Sequence, residues 1–239
     1  MTTNALVIGA GSGIGRATVL ELLAQGARVT AVGRDAARLH GLDGAVPRAG
    51  DATDPDTVRA LLADGPELVV VAAGVRPPMD PVDRLSWEDF SAAWNSDVKL
   101  AYEIGRAALA RPLRPGSTVI IVSSGAGLAG SPLSGGYAGA KRMQMFLASY
   151  LQRESTAREL GIRFVALAPR QLLVDTALGA AAATRYAAES GITVARFMER
   201  FPAPLDAAGV ARAIVAIARG EAGAGATVLG LTGKGLEVL

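Results

Sequence analysis

Short apolar runs alternate along this chain with longer stretches in which apolar positions recur every three or four residues. The runs are Ala5–Ile8, Ala27–Val32, a weaker segment near Ala45–Ala49, Leu68–Val71, Thr118–Val122, Gly161–Ala168 and Ala226–Leu231, and each reads as a strand. Leu68-Val-Val-Val71 and Thr118-Val-Ile-Ile-Val122 show no in/out alternation, the mark of strands buried on both faces. The helical stretches between them are Arg16–Gln25, Pro55–Ala63, Trp87–Ala110 without a proline, Tyr137–Gln152 and Leu205–Arg219. Asp35, Asp54 and Ser86 stand where N-caps belong. Seven strands in regular β/α alternation predict an α/β fold: one doubly wound, mostly parallel sheet with helices on both faces, over residues 1–239 as a single domain. The alanine-rich segment of about 176–203, with Tyr186, Phe197, Met198 and Phe201 as its large apolar groups, reads as a helical flap over a pocket.

Composition narrows the function classes. Half of the 239 residues are hydrophobic and 19% are charged, enough apolar surface for one sizeable core. There is no cysteine, so disulfide and thiolate chemistry are excluded, and the single histidine, His40, cannot build a His-rich metal site; it falls in a polar turn and reads as solvated. The net charge is +2 and the basic residues are scattered, which argues against a nucleic-acid or membrane patch. No charged n-region with a cleavable apolar segment opens the chain, and no run reaches the length of a membrane span; a soluble cytoplasmic protein is expected.

Two motifs carry candidate chemistry. The first strand enters Gly9-Ala-Gly-Ser-Gly-Ile-Gly15 and a helix follows at once. Glycines at 9, 13 and 15 permit backbone conformations closed to other residues and bring amide N–H groups and a helix N-terminus close to a phosphate. Their Gly-x-x-x-Gly-x-Gly spacing differs from the Gly-x-Gly-x-x-Gly dinucleotide fingerprint, and a tight turn packing helix on strand is the plain structural alternative. The second strand ends at Gly33-Arg34-Asp35. A carboxylate at such a strand end binds ribose hydroxyls, whereas an arginine nearby accommodates a 2′-phosphate, so Arg34 favours NADP(H) over NAD(H) and Asp35 is left as an N-cap.

The second motif is Ser123-Ser124, a glycine-rich turn, and Tyr137-Ala-Gly-Ala-Lys141. Tyr137 and Lys141 are one helical turn apart and share a face. A phenol ionises near pH ~10, and an adjacent ammonium brings it towards the range of an acid/base catalyst. The chain has only three lysines, Lys99, Lys141 and Lys234, among mostly arginine cations, so lysine at 141 is not a default. Strand ends beside loops are where an open parallel sheet places its ligand site, which puts Ser124 across a pocket from the phenol.

Over nearly its whole length the chain resembles the short-chain dehydrogenases/reductases. The resemblance rests on Gly9-x-x-x-Gly13-Ile14-Gly15, Asp51 after the third strand, Gly74 after the fourth, Ser124 and Tyr137-x-x-x-Lys141, in the family's order. It implies a Rossmann-type fold, Tyr137 as acid/base, Lys141 as the group that lowers its pKa and holds the nicotinamide ribose, and Ser124 as the group that positions a substrate carbonyl. The cofactor set it implies is Gly9, Ser12, Gly13, Ile14, Gly15, Arg34, Asp51, Ala52, Ala73, Gly74, Tyr137, Lys141, Pro169 and Thr176, with Asp51 at the adenine. It also implies a homotetramer or homodimer built on the helices of about 87–110 and 137–159.

Three positions depart from the family pattern. Asn-Asn-Ala-Gly is replaced by Val71-Ala-Ala-Gly74, the catalytic asparagine aligns with Asp97, and Pro-Gly after the sixth strand is Pro169-Arg170. Asn95, two residues earlier, would point elsewhere on a regular helix. A charge at Asp97 would stabilise Lys141 as ammonium and alter the pH profile, and Arg170 puts the local cofactor geometry in question. The expected activity is interconversion of a ketone and a secondary alcohol with NADP(H), on a largely apolar small-molecule substrate. The alternatives are a non-catalytic NADP-binding sensor or scaffold subunit, and a dehydration or isomerisation on the same fold.

Overall fold

The all-apolar runs do what their lack of alternation demands: Leu68–Val71 and Thr118–Val122 are buried at every position. In the computed structural model, which describes residues 3–201 and 203–239, the strands are β1 (Asn4–Ile8), β2 (Arg28–Gly33), β3 (Val46–Ala49), β4 (Leu68–Val71), β5 (Thr118–Val122), β6 (Arg163–Pro169), β7 (Val228–Thr232) and β8 (Gly235–Val238). Pro202, within the predicted flap, and the first two residues of the chain lie outside the described residues. The sheet order is β3-β2-β1-β4-β5-β6-β7-β8, parallel throughout except for the last pair.

Among the described residues the expected seven-stranded sheet therefore has eight strands. Thr232 pairs with Gly235 across a two-residue turn, and β8 returns antiparallel along β7. Its four residues alternate weakly and are mostly exposed, so no periodic signal marks it. At the opposite edge, β3 is exposed at all four positions and carries Pro47, which an edge strand tolerates.

Successive strand residues face opposite layers, and the core divides accordingly. Ala5, Val7, Val70, Ile120 and Leu167 pack with α1 (Gly13–Ala24) and α9 (Ala207–Ala218). Leu6, Ile8, Val69, Ile121 and Ala166 pack on the other face with α2 (Pro55–Leu62), α4 (Lys99–Ala110) and α6 (Gly135–Ala157). The strand order reverses at β1 and β4, and a ligand cleft opens at the carboxyl ends of strands beside such a switch point.

Two helical expectations need correction. The stretch from Trp87 to Ala110 is not one regular helix: α3 (Trp87–Ala93) passes through a π turn at Trp94–Val98 before α4 begins. The cap expected at Asp35 opens a short 3₁₀ turn, Ala36–Leu39, with Oδ1 accepting from the Ala37 amide at 2.9 Å. The Asp54 and Ser86 caps form as expected, on the Thr57 and Asp89 amides. The remaining helices are α5 (Ala126–Ala129), α7 (Ala177–Glu189) and α8 (Val194–Met198), the last two lying within the segment expected to form a flap.

Candidate active site

A cleft of about 880 Å³ runs over the carboxyl ends of β1, β2, β4 and β5. Its floor begins at the glycine turn. Gly9 has φ +91°, and a Cβ there would sit 2.5 Å from the Ala73 nitrogen, so both the conformation and the approach of two strand ends require glycine. A Cβ on Gly15 would lie 2.1 Å from the Gly9 carbonyl; this glycine lets α1 close onto β1 and does not itself line the cleft. Ser12 precedes α1 without making a side-chain cap, so the first amides of the helix are left facing the cleft without that partner.

At the far end Arg34 lines the cleft with Asp35, Asp51, Ala52 and Arg38. Arg38 escaped the sequence reading because it lies five residues past the strand end; only its place in a loop folded back over the glycine turn brings it in. That loop is anchored by Arg16, whose guanidinium donates to the carbonyls of Arg38, His40 and Gly41 at 3.1–3.3 Å. The Thr53 amide, 2.9 Å from Asp51 Oδ1, holds the Asp51 carboxyl below the usual carboxylate range, and Arg34 and Lys99 add to this.

The other end of the cleft holds Tyr137 and Lys141. Ser123 Oγ donates to the Lys141 carbonyl at 2.7 Å, and a Cβ on Gly127 would lie within 2.9 Å of the Lys141–Arg142 backbone, so the end of β5 and α5 clamp the first turns of α6. Lys141 Nζ stands 5.4 Å from the centre of the Tyr137 ring and 3.4 Å from the Val122 carbonyl. Its side chain is 6% exposed. Ser124 follows β5, and its Oγ accepts from the Ala126 amide at 3.2 Å.

Asp97 is fully buried, with Oδ2 3.0 Å from Lys141 Nζ and Oδ1 accepting from the Val75 amide at 2.9 Å. The approach to the ammonium is close but out of hydrogen-bond alignment, which leaves Oδ2 without a formal donor. Burial is the strongest influence on Lys141 and works against its charge; Tyr137 and Asp97 together outweigh it and raise its pKa above the ordinary lysine value. The π turn also corrects the expectation for Asn95: the widened turn presents Asn95, Ser96 and Asp97 together to the cleft.

Thr176 caps α7, and its methyl group would meet a Cβ on Gly13 at 3.4 Å, so the base of the flap segment touches the glycine turn. Pro169 is buried and is not among the residues that line the cleft, its carbonyl accepting from Gly125 at 2.7 Å. Arg170 points away from it: its guanidinium pairs with Glu237 of β8. Val75, Arg76, Leu100, Ala177 and Leu178 line the cleft and were not singled out in the sequence: Val75 and Arg76 lie in a loop without periodic or motif signal, and Leu100, Ala177 and Leu178 are ordinary helix positions. Among the described residues no cluster of metal-ligating side chains forms, and no helix is long and apolar enough to cross a membrane.

The short chain dehydrogenase family model matches residues 3–187, which takes in the glycine turn, the Ser-Tyr-Lys set and the base of the flap. The chain belongs to this family. It is an oxidoreductase acting on CH–OH groups, and the family binds a nicotinamide cofactor. It is 33% identical to an uncharacterized short-chain type dehydrogenase/reductase of Sinorhizobium fredii over 183 residues, 73% of each chain. A 3beta-hydroxysteroid dehydrogenase of Mediterraneibacter gnavus is 30% identical over 57% of this chain and 54% of its own length. Among solved structures, the 3-ketoacyl-(acyl-carrier-protein) reductase of Brucella melitensis complexed with NADH superposes with a TM-score of 0.79 over 97% of both chains, at 22% identity, a likeness of fold.

Proposed function

We propose that the protein is an NADP(H)-dependent oxidoreductase that interconverts a ketone and a secondary alcohol, with Tyr137 as the acid/base group. The observation that carries this reading is the buried Lys141 ammonium beside the Tyr137 ring at the carboxyl end of β5. The residues fit a dinucleotide: a glycine turn with unfilled helix-terminal amides at the middle of the cleft, a pair of arginines at one end and the tyrosine at the other. A bound nicotinamide dinucleotide supplies the hydride that the carbonyl carbon accepts.

The protein's own groups do the rest. Tyr137 gives its hydroxyl proton to the oxygen of the reduced carbon, and takes it back in the oxidative direction. Because Ser124 Oγ already accepts from a backbone amide, its O–H is free to donate to the substrate oxygen as charge develops there. The pKa of Lys141 lies above its ordinary value, so it is charged throughout neutral pH and acts on the phenol as a fixed positive group. Asp35 is committed to the Ala37 amide and lies 3.7 Å from Arg38, which supports reading Arg34 and Arg38 as the 2′-phosphate end. Thr176 and the segment to 203 form the flap over an apolar substrate. The protein acts in the cytoplasm as a homotetramer or homodimer, a reading supported by exposed Trp87, Trp94, Tyr102, Phe146 and Tyr150 on α3, the π turn, α4 and α6.

Equilibrium binding of NADPH and NADH to the wild type and to Arg34→Ala tests the cofactor half. NADPH is expected to bind tighter than NADH, and the variant to lose roughly 10-fold or more in NADPH affinity, the value of a charge-assisted hydrogen bond. In a carbonyl screen Tyr137→Phe is expected to bind NADPH as the wild type does while kcat falls by about 10²–10⁴. Binding of neither cofactor, or turnover by Tyr137→Phe near the wild-type rate, overturns the reading.

A further inference from the structure

One turn beyond Lys141 on α6 lies a glutamine that is wholly buried. Gln144 Nε2 donates to the Asp97 carbonyl at 3.0 Å, while its Oε1 has no partner among the described residues. An unsatisfied buried acceptor costs stability, and an apolar side chain of the same length would fill the space without that cost. Packing therefore does not account for the amide, and its one hydrogen bond does.

That bond ends on the π turn. The Lys99 amide reaches back to the Trp94 carbonyl, so the helix ladder slips by one residue, and the turn that carries Asp97 lacks the register of the helices on either side. A loosened turn of this kind can settle in more than one position. In the position it takes here, Asp97 Oδ1 meets the Val75 amide and Oδ2 meets Lys141. Gln144 and Lys141 share a face of α6, so the amide that fixes the Asp97 backbone and the ammonium that meets its carboxylate project from one rigid helix.

We propose that Gln144 is a positioning residue: its side-chain amide locks the π turn to α6 so that Asp97 is held against Lys141. The titratable groups facing Lys141 are Asp97 from the π turn and Tyr137 from its own helix, and β5 offers only the Val122 carbonyl. With Asp97 misplaced, burial is opposed by Tyr137 alone and the lysine gives up its proton at lower pH. The link to turnover rests on the function proposed above; the link between Gln144, Asp97 and the lysine charge does not.

The test separates the two. The chain has three lysines, so protein labelled with ¹³Cε-lysine gives three signals, and the Lys141 midpoint can be followed with no cofactor present. Gln144→Met keeps the length of the side chain and removes the donor. Its Lys141 midpoint is expected to fall, in the same direction as in Asp97→Asn and by less, and the double variant to match Asp97→Asn. A midpoint in Gln144→Met equal to that of the wild type overturns the proposal. A second reading needs no variant: the Gln144 side-chain amide protons of the wild type should be protected from solvent exchange, and exchange at the free-amide rate also overturns it. In turnover, the alkaline limb of the kcat profile should move to lower pH in Gln144→Met. A moved Lys141 midpoint in a protein that reduces no carbonyl would overturn the enzyme reading and leave the positioning role standing.

Discussion

The chain puts a charge in two places where the family pattern has none, and the two pairs that result are opposites. Asp97 meets Lys141 in the interior, 0% and 6% exposed, beside the candidate acid/base. Arg170 meets Glu237 at the sheet edge, 39% and 45% exposed, with its side chain turned off the cleft. In the first place water cannot screen the charges, so each depends on the other and the pair sets the potential felt by Tyr137. In the second, solvent competes for both partners and the pair is worth little. A substitution's distance from a motif in sequence therefore says less about its consequence than the medium in which its charge ends up.

The largest expected effect comes from breaking the buried pair. Asp97→Ala strands the Lys141 ammonium and the Val75 amide in the interior, and urea unfolding at neutral pH should show a loss of about 3–5 kcal/mol. Asp97→Asn can still accept from Val75 and should lose less. The pH dependence follows from the direction of the Lys141 shift. A group whose pKa is raised on folding contributes stability that is complete below its unfolded value, near 10.5, and is lost as pH climbs through the higher folded value. The gap between wild type and Asp97→Ala should thus hold from neutral pH into the alkaline range and close only above it.

Gly74→Ala probes the same pair from outside with a smaller perturbation. A Cβ on Gly74 would lie 2.6 Å from Asp97 Oδ2, so the carboxylate must shift to make room for it. The φ of Gly74 is an ordinary one, so the requirement is for space and not for conformation. A loss of about 1–3 kcal/mol is expected from the overpacking. It should come with a fall in the Lys141 midpoint, because the displaced carboxylate moves off the ammonium.

Much of this architecture can be read from the chain itself, and the parts that cannot share a physical cause. Leu68–Val71 and Thr118–Val122 declare buried strands because every position is apolar, and Asp54 and Ser86 declare helix starts because a cap is a local hydrogen bond. The nearness of Tyr137 and Lys141 is legible by spacing, since one helical turn fixes it locally, whereas Ser124 follows β5 and is not among the residues that line the cleft. The π turn is not legible: Trp94–Val98 has ordinary helical composition, and the slip in the ladder answers to contacts with Gln144, Val75 and Lys141 that lie 22 to 47 residues away or arise from a different element. β8 and Arg38 escape for the same reason, a short segment and a loop residue each placed by tertiary contacts. The direction taken by Arg170 depends on Gly230 on the neighbouring strand, where a Cβ would crowd both Arg170 Cδ and Glu237.

That last contact supplies the smallest expected effect. Arg170→Ala removes one half of the edge pair and leaves Glu237 exposed to water, where its charge is solvated at no great cost. The change in unfolding free energy should be under about 1 kcal/mol and should shrink further in high salt, as expected for a screened surface pair. NADPH affinity should match the wild type, because the guanidinium lies along β7 and β8 and not over the cleft. If Arg170→Ala instead weakens NADPH binding while Asp97→Asn leaves the Lys141 midpoint unmoved, the contrast between the two pairs is reversed, and the edge charge is the one that reaches the site.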